Sequence, residues 1–118
     1  MAEDIIDLPD VLNRVQDDKE LLLELFDIYT EDFVIKRQAL GEAIAAKDLT
    51  KIKEVAHSMK GASGNISAKR MYQSCLSLEQ LAKNQDVNGM EDLLKAVDSQ
   101  FEEIKVNVEK LKKEFGAK

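Results

Sequence analysis

The sequence predicts an all-α protein: an up-down four-helix bundle with a short additional N-terminal helix. Three observations carry that expectation. Apolar residues recur at steps of three and four along most of the 118 positions, the spacing of one face of an α-helix. Five glycines and one proline leave little material for β-turns, and no run alternates apolar and polar residues as a half-buried strand would. Aromatic residues make up only 5% and Trp is absent, so Leu, Ile, Val, Ala and Met are expected to fill the interior, as they do in helical bundles. At this length the chain is a single domain, residues 1–118, with its core expected over about 6–114.

Each element has its own signal. The first helix fits Leu8 to about Val15, with Asp7 as N-cap and Pro9 in the first turn. Asp17-Asp18-Lys19-Glu20 restarts the chain. Leu22, Leu25, Phe26, Tyr29 and Phe33, then Leu40 and Ile44, form a stripe that carries a second helix to about Ala46, with room for a bend near Thr30 to Phe33. Asp48 caps a third helix through Leu49, Ile52, Val55, Ala56 and Met59 to Ile66. Ser67 separates it from a fourth, Ala68 to about Lys83, built on Met71, Cys75, Leu78 and Ala82. Asn84 to Gly89 is a polar break. The last helix, about Met90 to Glu114, holds Leu94, Val97, Phe101, Ile104, Val108, Leu111 and Phe115 in a heptad seam. That seam suits a helix packed inside its own domain, or a homodimeric coiled coil.

Composition removes several classes of function. Seventeen basic against 23 acidic residues give a net charge of −6, the wrong sign for general phosphate-backbone binding, so no nucleic-acid partner is expected. No apolar run reaches membrane-spanning length, and the acidic start lacks the apolar core of a secretion signal. Cys75 is the one cysteine; it cannot form an internal disulfide, and a small buried hydrophobe is its expected role. A cytoplasmic protein without a membrane partner is the expectation.

The one histidine, His57, stands apart. With Val55 at zero and 100° per residue, Ile52, Ala56, Met59 and Ile66 fall between roughly 20° and 100°, the apolar stripe. His57, Lys60, Gly61 and Gly64 fall between roughly 140° and 240°, facing water. Lys60 and Gly61 are the i+3 and i+4 neighbours of the histidine. Two glycines inside a helix each cost about 1 kcal/mol relative to alanine, so their place beside the only imidazole points to room kept for another protein's active site. Metal binding lacks ligands, with no second histidine and a single cysteine. Ser58 and Ser63 lie nearby without the flanks of a nucleophile elbow. What remains is the imidazole as nucleophile: exposed, it is largely neutral at cell pH and keeps a lone pair. A phosphoryl group would bring roughly two negative charges, and Lys60 stands one turn away to offset them. With no P-loop or comparable nucleotide motif, the chain is expected to receive such a group rather than draw it from ATP.

The segment His57-Ser58-Met59-Lys60-Gly61-Ala62-Ser63-Gly64-Asn65-Ile66 resembles the phosphoacceptor motif of histidine-containing phosphotransfer (HPt) domains, His-x-[hydrophobic]-Lys-Gly-[small]-[small]. Ile6-Asp7-Leu8-Pro9 and Leu21 to Phe33 resemble the family's opening helices, and Leu76-Ser77-Leu78-Glu79 its helix facing the histidine. The resemblance implies an intermediate in a two-component His-Asp phosphorelay, a phosphoryl carrier without kinase activity of its own. The expected partners are response-regulator receiver domains, one of them in a hybrid sensor kinase. Mg²⁺ would belong to the receiver, leaving this protein without a cofactor or metal, as a monomer. His57 would be the phosphoacceptor through Nε2, Lys60 would steady the phosphoryl oxygens, and Glu79, with Gln80 as the alternative, would orient the imidazole. Lys53, Ser58, Gly61 and Gly64, flanked by Leu12 and Val15 of the first helix, form the expected docking strip. Many members carry a Gly-x pair where this chain has Ser67-Ala68; Ser67 as an N-cap is expected to alter that junction without abolishing transfer. The competing readings are a non-phosphorylated adaptor or inhibitor that binds a receiver or kinase, and a dimerisation module built on the Leu94–Phe115 seam.

Overall fold

The computed structural model describes residues 5–116. Met1–Asp4 and residues 117–118, included above in the single domain, lie outside them. Five helices follow one another, α1 (Leu8–Arg14), α2 (Lys19–Ala46), α3 (Leu49–Asn65), α4 (Lys69–Lys83) and α5 (Met90–Gly116), with no strand among the described residues. Short aspartate-capped starts set the first three. The Asp10 N–H donates to Asp7 Oδ1 at 3.1 Å, Leu21 N–H to Asp18 Oδ1 at 3.0 Å and Lys51 N–H to Asp48 Oδ1 at 3.1 Å, each bond satisfying a donor that the first turn leaves free. α2 is helical over all 28 residues, Thr30 to Phe33 included.

Each of α2 to α5 packs on the next, and α5 closes the ring against α2. With connections of a few residues this is the expected up-down four-helix bundle. Leu94, Val97, Phe101, Ile104, Val108 and Leu111 are all buried in the chain's own core, so the heptad seam is an internal packing surface. The few aromatics are concentrated where α2 meets α5: Phe33 stacks on Phe101 with centroids 3.9 Å apart, and Tyr29 lies 6.5 Å from Phe101. Tyr29 Oη and the buried Ser63 Oγ are 3.0 Å apart, and Ser63 Oγ donates to the Met59 carbonyl at 2.8 Å. That leaves the tyrosine as donor to the serine. Burial pushes the Tyr29 phenol above its ordinary range and the Cys75 thiol up to about 12, so both stay neutral at any working pH. No described helix is long and apolar enough to cross a membrane.

At 1.5 Å per residue α2 and α5 run about 42 and 40 Å, against about 26 and 22 Å for α3 and α4. The long pair therefore outreaches the short pair at the α3–α4 junction. α1 is fastened there. Asp7 N–H donates to the Ser67 carbonyl at 2.9 Å, Ser67 Oγ to Asp10 Oδ2 at 2.6 Å and Lys69 Nζ to Asp7 Oδ2 at 2.8 Å. Ser67 is not the N-cap of α4. It occupies the left-handed region at φ 56°, and Ala68 holds the cap position without a side-chain bond. Glycine adopts a left-handed backbone without strain; here a serine occupies it, with its hydroxyl tied to α1.

Lys69 holds the Asp7 carboxyl below the ordinary value of 3.8, and the Ser67 hydroxyl does the same for Asp10, helped by Arg14. Carboxylates depressed in the folded state contribute stability above the usual aspartate range and lose it as pH falls through their lowered values. In a pH titration followed by NMR, the α1 amides are expected to lose protection as pH falls below the ordinary aspartate value of 3.8, while α3 and α4 remain protected. Simultaneous loss in all three helices would show that α1 is not held by these tethers.

Candidate functional site

The site is built on the α3–α4 pair. On α3, His57, Lys60 and Gly64 stand at i, i+3 and i+7; on α4, Tyr72 and Glu79 stand seven apart on the face turned to them. The Glu79 carboxylate is shared. Its Oε2 lies 2.7 Å from His57 Nδ1 and its Oε1 accepts from Lys60 Nζ at 2.7 Å. The His57 side chain is 67% exposed, whereas those of Lys60 and Glu79 are 17% and 15% exposed. The lysine ammonium also lies 5.9 Å from the Tyr72 ring centroid, within cation–π range. The hydrogen bond from Lys60 holds the Glu79 carboxyl below the usual range against the opposing effect of burial, with His57 adding to it. The same contact raises Lys60. An ionised carboxylate has no proton to donate. Nδ1 must therefore carry the hydrogen, which in the neutral ring leaves the lone pair on Nε2, the nitrogen that points away from the tether.

Glu79, rather than Gln80, reaches the imidazole; Gln80 is exposed. Lys60 stands beside the histidine as expected, but its charge is engaged by Glu79. A Cβ on Gly61 would meet nothing within 4 Å, and one on Gly64 would touch the Tyr72 ring at 3.4 Å, ordinary contact. The fold itself does not demand a glycine at 61. Lys53, Ser58 and Gly61 are exposed and Gly64 half-buried, while Leu12 is half-buried. Val15 departs from expectation: at 8% exposure it belongs to the core and cannot offer its side chain to a partner. It lies just past the end of α1 as the C-cap, where helical periodicity no longer fixes direction.

Periodicity also left unnoticed a second surface. Leu21, Ile28 and Ile35 of α2 are 40%, 62% and 71% exposed, and their seven-residue spacing puts them on one stripe outside the core stripe. The Tyr29–Ser63 bond fixes the antiparallel register of α2 against α3, which sets Ile35 level with His57. A surface groove of about 690 Å³, lined by Ile5, Ile6, Val106 and Leu111 among others, shares no residue with this site. The imidazole therefore works on an open face, not in a pocket.

The fold and the site define a class: four-helix bundles that display one carboxylate-oriented imidazole on an open face. The chain belongs to the Hpt domain family, whose sequence model matches residues 24–107. It is 23% identical over 103 residues to histidine-containing phosphotransfer protein 2 of Arabidopsis thaliana, an alignment spanning 83% of this chain and 66% of that protein. The chain thus spans just under two thirds of that relative's length. Its fold matches the crystal structure of histidine-containing phosphotransfer protein B (HptB) from Pseudomonas aeruginosa PAO1 with a TM-score of 0.85 and 23% identity, covering 92% of this chain and 95% of the other.

Proposed function

We propose that this protein is a histidine phosphotransfer intermediate that shuttles a phosphoryl group between receiver-domain aspartates of a two-component phosphorelay through phospho-His57. The observation that carries the reading is the Glu79–His57 contact of 2.7 Å on an open helix face. It fixes the tautomer whose Nε2 lone pair faces a partner. In the transfer step that lone pair forms a bond to the phosphorus of the receiver's aspartyl phosphate. The P–O bond to the aspartate breaks, and its electron pair stays on the carboxylate. The ring, now bonded at Nε2 and still protonated at Nδ1, takes up positive charge that Glu79 faces directly. Mg²⁺ is supplied by the receiver, and no cofactor of this chain enters the step. The protein carries the group without kinase activity of its own. Its partners are response-regulator receivers, including that of a hybrid sensor kinase, and it works as a cytoplasmic monomer.

The docking surface in this reading runs from Lys53, Ser58, Gly61 and Gly64 across to Ile28 and Ile35, with Leu12 at its edge. Burying one exposed isoleucine contributes about 1.5–3 kcal/mol. Ile35→Glu is therefore expected to weaken receiver binding by at least about tenfold with thermal stability unchanged, as read by calorimetry and melting. Unchanged affinity would remove α2 from the interface. The test of the function itself is incubation with a phosphorylated receiver and Mg²⁺. Acid-labile, alkali-stable label on this protein supports the carrier reading; stable complexes without label would favour an adaptor.

A further inference from the structure

We infer that Lys60 is a positioning residue acting through Glu79: its ammonium balances the carboxylate and so keeps the His57 ring in the neutral form that retains the Nε2 lone pair. The inference rests on the phosphotransfer reading for its purpose, though not for its test. Glu79 lies 2.7 Å from both partners. A carboxylate at that distance would, alone, favour imidazolium, which has no lone pair to give. The carboxylate is needed to hold the tautomer, so its charge has to be offset nearby without losing the hydrogen bond. Lys60 does this on the second oxygen, leaving Oε2 to the ring. The Tyr72 ring 5.9 Å away and the low exposure of Lys60, 17%, keep the ammonium at its post. Among the described residues no other charged side chain pairs with Glu79 or His57. On α3, Lys53 and Glu54 at i−4 and i−3 of His57 are exposed and of opposite sign, and on α4 Lys83, one turn past Glu79, is exposed. Water screens all three.

The arrangement predicts opposite effects for the loss of either charge. An unbalanced carboxylate would dominate the proton affinity of the ring; a balanced one would not. Because His57 is the only histidine, its ring C2–H resonance reports this alone, in unphosphorylated protein. Lys60→Met is expected to tighten proton binding to the imidazole by about tenfold. Glu79→Gln, whose amide oxygen still accepts from Nδ1, is expected to loosen it by a similar factor, since the Lys60 ammonium is then left unbalanced. The double variant is expected to return close to wild type, and Lys60→Arg, which keeps the charge, to titrate like wild type. An unmoved resonance in Lys60→Met, or a double variant as shifted as the single one, would overturn the inference whatever the transfer assay shows. In transfer from a phosphorylated receiver, the Lys60→Met deficit should largely vanish between pH 7 and about 8.5 as the ring deprotonates. A deficit equal at all pH would mean that Lys60 serves the phosphoryl oxygens instead. Absence of transfer by wild type at any pH would count against the phosphotransfer reading and leave the titration result standing.

Discussion

His57→Gln is expected to abolish acceptance of the phosphoryl group, a loss of roughly 1,000-fold or more in labelling rate, while leaving the fold intact. The two halves of that expectation have separate causes. The side chain is 67% exposed and contributes nothing to the core. Glutamine is at least as good a helix former, so the stability change should stay within about 0.5 kcal/mol. The chemistry, by contrast, has no substitute. The amide of glutamine is not nucleophilic, and no second imidazole exists in the chain. Cys75, the other nucleophile of note, is buried with its thiol pushed up to about 12. Comparison of the two proteins against the same phosphorylated receiver, with circular dichroism as the control for folding, reads both. Label persisting on His57→Gln would move the phosphoacceptor elsewhere and sink the assignment.

Gly61→Leu is expected to separate stability from function in the opposite sense, making a more stable protein that transfers poorly. The glycine sits in the interior of α3, and a Cβ there would meet nothing within 4 Å. Replacing it should therefore recover about 0.8 kcal/mol of helix propensity, a rise of a few degrees in melting temperature. The same side chain would stand one turn from His57 on the open face, where a partner's active site must come within bonding distance of Nε2. Displacement of a near-attack geometry by about 1 Å is enough to cost on the order of 100-fold in rate. Transfer and receiver affinity equal to wild type would show that the glycine clears no path.

Most of the architecture was legible because a long amphipathic helix reports its own buried face. The Leu94–Phe115 seam and the Leu22–Ile44 stripe were readable from spacing alone, as was the outward placement of His57. Spacing gives a direction and does not name a neighbour. It placed Lys60 beside His57 but could not show that Glu79, 19 positions away, would engage its charge. For the same reason the exposed stripe of Leu21, Ile28 and Ile35 escaped notice: its significance depends on the register between α2 and α3. Ser67 and Val15 were misread where the helical pattern stops, at junction residues whose backbone is set by tertiary bonds. The left-handed φ of 56° at Ser67 is imposed by the meeting of α1, α3 and α4, which no local propensity encodes.

The reacting imidazole, its orienting carboxylate and the balancing ammonium all lie on one helical hairpin, α3 and α4, joined by three residues. The outward stripe of α2 makes none of these bonds. The α2 part of the proposed docking surface thus lies on a different segment of the chain from the reacting groups. A lineage of such proteins can accumulate substitutions along α2, changing which partners are accepted, without disturbing the group that reacts. Duplicated copies could diverge into separate signalling routes while keeping one common chemistry.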